Sequence, residues 1–136
     1  MKKPETYTIR FPETDGAPGD HGSIAMKDKD WKVFQKEVGM EGRVQIEAAM
    51  RAWCRFGPAN IPNKRFKFET RYESGGKGVR IDAFKGRHVR LYGATVEVDG
   101  KPMFLVTGRD MSKKTDAADQ ELLKAAGKTA FKLIHG

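Results

Sequence analysis

From Arg65 to Val106 the chain reads mostly with a period of two, and that alternation commits its second half to a sheet. Arg65, Lys67, Glu69 and Arg71 alternate with Phe66, Phe68, Thr70 and Tyr72. Successive side chains of a strand point to opposite faces, so each set occupies one face. Val79, Ile81 and Ala83 stand opposite Arg80, Asp82 and Phe84; Val89, Leu91 and Gly93 stand opposite His88, Arg90 and Tyr92. Ser74-Gly75-Gly76-Lys77-Gly78 separates the first two strands, and Lys85-Gly86 the next two. Past Gly93 the apolar positions move to the other set, Val96 and Val98, which a bulge at Gly93 would explain. Asp99-Gly100 signals a hairpin. Met103-Phe104-Leu105-Val106 is continuously apolar, as in a strand buried on both faces.

The first half reads differently. Tyr7, Ile9 and Phe11 mark a short strand, and Pro, Gly and Asp crowd the stretch that follows. Residues 12–27 are expected to form a mobile loop insertion. Asp28 or Asp30 can cap a helix through Glu37, with Trp31, Phe34 and Val38 at helical spacing. A second helix carries Ile46, Ala49, Met50, Trp53 and Cys54 on one stripe and ends near Phe56, before Gly57-Pro58. Cys54 on that stripe reads as a buried structural thiol, and both tryptophans as core. Asp116 can cap a last helix bearing Leu122, Ala125, Ala126, Thr129 and Leu133. The expected fold is α+β in one domain over residues 1–136, ordered β-α-α-β-β-β-α. It has an antiparallel meander sheet, an N-terminal helical hairpin and a C-terminal helix.

Several chemistries find no support. His21, His88 and His135 are scattered, and no Cys/His pair has ligand spacing, so no metal or other cofactor is expected. No motif supports a Ser-His-Asp triad. The Gly-rich turn at 74–78 joins two strands rather than opening a helix, so it is not a phosphate cradle. No apolar run approaches the ~18 residues of a membrane span. A single cysteine forms no internal disulfide, and no apolar stretch follows the N-terminal lysines. The expected location is therefore cytoplasmic, with no membrane partner.

Charge gives the positive clue. The chain carries 26 Lys and Arg against 18 Asp and Glu, a net charge of +8. Residues 61–92 hold nine basic groups (Lys64, Arg65, Lys67, Arg71, Lys77, Arg80, Lys85, Arg87, Arg90) against three acids (Glu69, Glu73, Asp82). Aromatic residues interleave them. Such a block attracts a polyanion, and nucleic acid is the natural one. A face of this kind could also cleave RNA, with guanidinium groups stabilising the phosphorane formed by 2′-OH attack. The proton would go to His88, or to a Tyr or Lys whose pKa its cationic neighbours lower. The bland reading pairs Arg80 and Arg90 with Asp82, Glu69 or Glu97 across strands.

Gly78-Val79-Arg80-Ile81, His88-Val89-Arg90-Leu91-Tyr92, Met103-Phe104-Leu105-Val106 and Met111-Ser112-Lys113-Lys114-Thr115 together resemble the RelE/ParE toxin superfamily, in its phage-derived HigB-like branch. The resemblance covers about residues 5–10 and 28–132. It implies a metal-independent endoribonuclease, the toxin of a type II toxin–antitoxin pair. Such a toxin cuts mRNA on the ribosome and is neutralised by a cognate antitoxin. Carried over by position, Arg80 and Arg90 would grip the scissile phosphate, and Tyr92 would stack on a base or shuttle a proton. Lys113 and Lys114 would hold the RNA backbone, with Arg87 and His88 beside the site and Lys67 and Arg71 on the neighbouring strand. The alternatives are a non-catalytic RNA- or DNA-binding domain and a protein-interaction module on the same scaffold.

Overall fold

In the computed structural model, which describes residues 1–13, 19–111 and 118–136, nine elements follow in order. They are β1 (Tyr7–Phe11), β2 (Ser23–Lys27), α1 (Asp28–Glu37), α2 (Met40–Phe56), β3 (Phe66–Ser74), β4 (Lys77–Gly86), β5 (Val89–Val98), β6 (Lys101–Asp110) and α3 (Gln120–His135). The strands form one sheet in the order β1-β2-β6-β5-β4-β3. β2 runs parallel to β6, and every other neighbouring pair is antiparallel.

This corrects the expected RelE-like order β-α-α-β-β-β-α. Four strands, not three, follow the helices, and β2 lies inside the stretch read as a loop. Its parallel pairing makes the sheet mixed rather than a pure meander. β2 carried no strand signal for two physical reasons. Ala25 is a weak strand former. Residues 23–26 are also all buried, so no alternation marks them. The last helix differs too: Asp119 caps it, accepting from the backbone N–H groups of Glu121 and Leu122 at 3.0 and 3.1 Å. Asp116 lies outside the described residues.

Helices cover both faces of the sheet. Phe34, Ile46, Met50, Trp53 and Cys54 of α1 and α2 pack on Phe66, Phe84, Leu91, Phe104 and Val106. On the opposite face Leu123, Ala126 and Ala130 of α3 pack on Val79, Ile81, Ala83, Tyr92 and Ala94. Met103 to Val106 is buried on both faces, which accounts for its unbroken apolar run. Cys54 is buried on the α2 stripe, where loss of water pushes its thiol up to about 12. Trp53 is core, and Trp31 is partly buried against it.

The two-layer cover also explains the change of pattern along β5. The ladder does step at Tyr92/Gly93, but the extra residue is Thr107 of β6. β5 itself keeps its alternation. Val89 and Leu91 face α2, whereas Tyr92 and Ala94 face α3. The apolar set changes because the covering helix changes.

α2 leaves part of its sheet face bare. It ends at Phe56, where Gly57 takes φ +82°, and a short turn at Pro58–Asn60 carries the chain away. Phe66 and Phe84 on that face are buried, but Phe68 and Arg80 on the same face are exposed. β3 is also an edge strand, and its Lys67 and Arg71 are exposed.

Candidate nucleic-acid interface

The basic block folds into the β3–β4–β5 end of the sheet, but the register divides its arginines between the two faces. Phe84 pairs with Leu91, and both face α2. Arg80 shares the parity of Phe84 on β4 and so faces the α2 side. Arg90 is one residue from Leu91 and shares the α3 side with Tyr92. Arg80 therefore does not converge with Arg90 and Tyr92, and the one-phosphate arrangement expected from the sequence is not assembled. The sequence gives each strand's parity but not the register that relates one strand to the next.

Arg90 is committed inside the molecule. Its guanidinium donates to Glu69 at 2.8 Å, and the two side chains are 5% and 7% exposed. Glu69 is the extra residue of a β3 irregularity between Phe68 and Thr70. Tyr92 is fully buried, and its hydroxyl has no hydrogen-bond partner among the described residues. Burial pushes Tyr92 up to about 12, outweighing the opposing pull of Arg90. That is the reverse of the lowered pKa a proton shuttle would need near neutral pH.

The other candidates separate further. Arg87 and His88 form the β4–β5 turn, with His88 at φ +59°. There Arg87 pairs with Glu41 at 3.2 Å, and its backbone N–H donates to Gln45 at 2.7 Å. Arg71 lies opposite Arg80 in register and pairs with Glu73 at 3.1 Å on the surface. Lys67 is exposed on the β3 edge. Lys113 and Lys114 lie outside the described residues.

What the fold does assemble is a platform on the part of the sheet face that α2 leaves bare. The Arg80 guanidinium carbon sits 4.7 Å from the Phe68 ring centroid, a cation–π stack. Its Nε donates to Asp82 Oδ1 at 3.0 Å. Phe68 is 46% exposed and the Arg80 side chain 62%, whereas Asp82 is 7% exposed. The buried carboxylate thus fixes Arg80 from below and the ring supports it from the side. Beside them a groove of about 420 Å³ is lined by Pro58, Ile61, Asn63, Phe66, Lys67 and Phe68, among others. Lys67 lines it and Lys64 and Arg65 lie just ahead of β3 in the chain; none of the three forms an ion pair with the described residues. Of the block's three acids, Glu69 and Asp82 are buried against arginines and Glu73 is paired, so the rim stays cationic.

Phe68 was visible in the sequence as an interleaved aromatic, but its role was not. Its exposure depends on where α2 stops, which no β3 residue reports. Asp82 was visible only as a possible partner for Arg80. The Arg80–Asp82 and Arg90–Glu69 pairs join partners the bland reading named, the first within β4 rather than across strands.

Desolvation raises the Asp82 pKa, and Arg80 only partly opposes it. The folded protein therefore holds this proton more tightly than the unfolded chain. Asp82 then costs stability at neutral pH, and the cost fades as pH falls through the raised value toward the ordinary carboxylate range. Asp82→Asn is expected to raise the melting temperature by a few degrees at pH 7, with the gain shrinking toward pH 4. A drop at pH 7 would show that the Arg80 pair outweighs the loss of water.

Comparison with family models, curated proteins and solved structures finds no match for this chain. Among the described residues, no three His, Cys, Asp or Glu side chains gather as metal ligands, and no helix is long and apolar enough to cross a membrane.

Proposed function

We propose that this chain is a nucleic-acid-binding domain that holds a phosphodiester backbone along the β3–β4 edge. The carrying observation is the Arg80–Phe68 stack set in a cationic rim. Lys64, Arg65 and Lys67 supply charges for phosphates, and Arg80 with Phe68 supplies a flat contact for a base or sugar. The implied endoribonuclease would need Arg80, Arg90 and Tyr92 on one phosphate. With Arg90 tied to Glu69 and Tyr92 buried, binding without scission is the better-supported reading.

The test is fluorescence anisotropy with a labelled oligonucleotide across a salt series. Three to five phosphate contacts predict a log–log slope of roughly −2 to −3.5 for a single strand. The strand is expected to stay intact on a denaturing gel. No binding at low salt, or binding indifferent to salt, contradicts the proposal. Scission of the strand would restore the ribonuclease reading.

A further inference from the structure

Resting on that reading, we propose that the ligand is single-stranded and that one unstacked base lies against Phe68 in the groove beside Arg80. Three observations carry this. First, the exposed aromatic contact lines a groove rather than a flat face. Phe68 lines a concavity bounded by the Pro58–Asn60 turn, with Ile61 and Phe66 among its other walls. In a duplex the bases are stacked and paired, and their faces are closed to a protein side chain. A base can lay its face on a ring in such a groove only when it is free to leave its stack.

Second, the platform is held in place before any ligand arrives. Arg80 is fixed through Nε to buried Asp82 and rests on the ring. Both of its Nη groups are left without a partner among the described residues. A guanidinium fixed this way can stack on a base or bond to the adjoining phosphate with little further loss of side-chain freedom. Third, the polar and apolar groups are divided as a single strand requires. Lys67 lies on edge strand β3, and Lys64 and Arg65 lead into it, along the path a backbone would take. Asn63 is the one amide among the groove's lining residues. An amide offers both a donor and an acceptor to a base edge, which suits hydrogen bonding to a base without excluding any of the four.

The experiment separates base stacking from phosphate binding. Labelled ten-nucleotide oligouridylate and oligothymidylate are titrated beside an abasic phosphodiester of the same length and charge, and beside a ten-base-pair duplex. Wild-type protein is expected to bind at least one base-bearing strand roughly 5- to 150-fold tighter than the abasic strand, the range for one stacked base. Phe68→Ala is expected to bring that ratio close to one, by weakening the base-bearing strand far more than the abasic one. Phe68→Trp is expected to restore the ratio and to show ligand-dependent quenching of the new indole. A wild-type ratio near one, a ratio that survives Phe68→Ala, or a duplex bound as tightly as the single strand overturns the inference while phosphate binding stands. Failure of every strand to bind overturns phosphate binding and this inference together.

Discussion

Glu69→Ala is expected to destabilise the protein by about 3–5 kcal/mol, the cost of removing one partner from a buried ion pair. Glu69 and Arg90 bond at 2.8 Å with side chains only 7% and 5% exposed, so neither charge is well solvated once the other is gone. The contrast lies two strand positions from Arg71. Glu73 pairs with Arg71 at 3.1 Å, but both side chains are more than half exposed, so Glu73→Ala should cost about 1 kcal/mol or less. Thermal and denaturant unfolding of the two variants side by side gives the comparison. Similar small losses in both would show that the Arg90 site is wetter than its burial indicates. The prediction bears on function as well. Arg90→Ala would strand Glu69 in the same way, so a loss of RNA binding in that variant is expected to reflect lost fold. A catalytic role for Arg90 would require a well-folded variant that binds RNA and fails only to cut it.

Reversing the rim, Lys64→Glu with Arg65→Glu and Lys67→Glu, is expected to weaken oligonucleotide binding by about 100-fold at moderate salt and to flatten the salt slope by roughly 2. Lys67 lines the groove, Lys64 and Arg65 lead into β3 beside it, and none carries an ion pair with the described residues, so their charges are available to a ligand. The fold should tolerate the change. Lys64 and Lys67 are exposed, and Arg65 is partly so, in a groove shared with α2. The melting temperature is expected to move little. Unchanged affinity in a folded triple variant would show that the nucleic acid binds elsewhere, and Lys77 with the β3–β4 turn would be the next surface to reverse.

Much of this architecture is legible in the residues, and the gaps have physical causes. β3, β4 and β5 follow from alternation and β6 from its unbroken apolar run; two turns fall at Gly75-Gly76 and Asp99-Gly100, all with positive φ, and the third at Arg87-His88, just past the expected Lys85-Gly86. The helix ending at Phe56 is equally plain. β2 was hidden because a strand buried on both faces has no period, and Ala25 does not advertise one. The site was less legible. The excess of positive charge between Lys64 and Arg90 is a property of composition, and it folds into the β3–β4–β5 end of the sheet. Which arginines share a face depends on register, and register is a relation between strands. Phe84 opposite Leu91 puts Arg80 and Arg90 on opposite sides of the sheet. Asp82 and Glu69 then consume part of the charge that a count along the chain leaves free.

The most direct measurement is photocrosslinking of a 5-bromouridine oligonucleotide to the protein, with the adduct sites mapped by mass spectrometry. Adducts at Phe68 or elsewhere along residues 63–71, reduced by Phe68→Ala, are the predicted result. Adducts confined to α1 or α3, or none from a strand that binds, would contradict the assignment of the β3–β4 edge as the nucleic-acid surface.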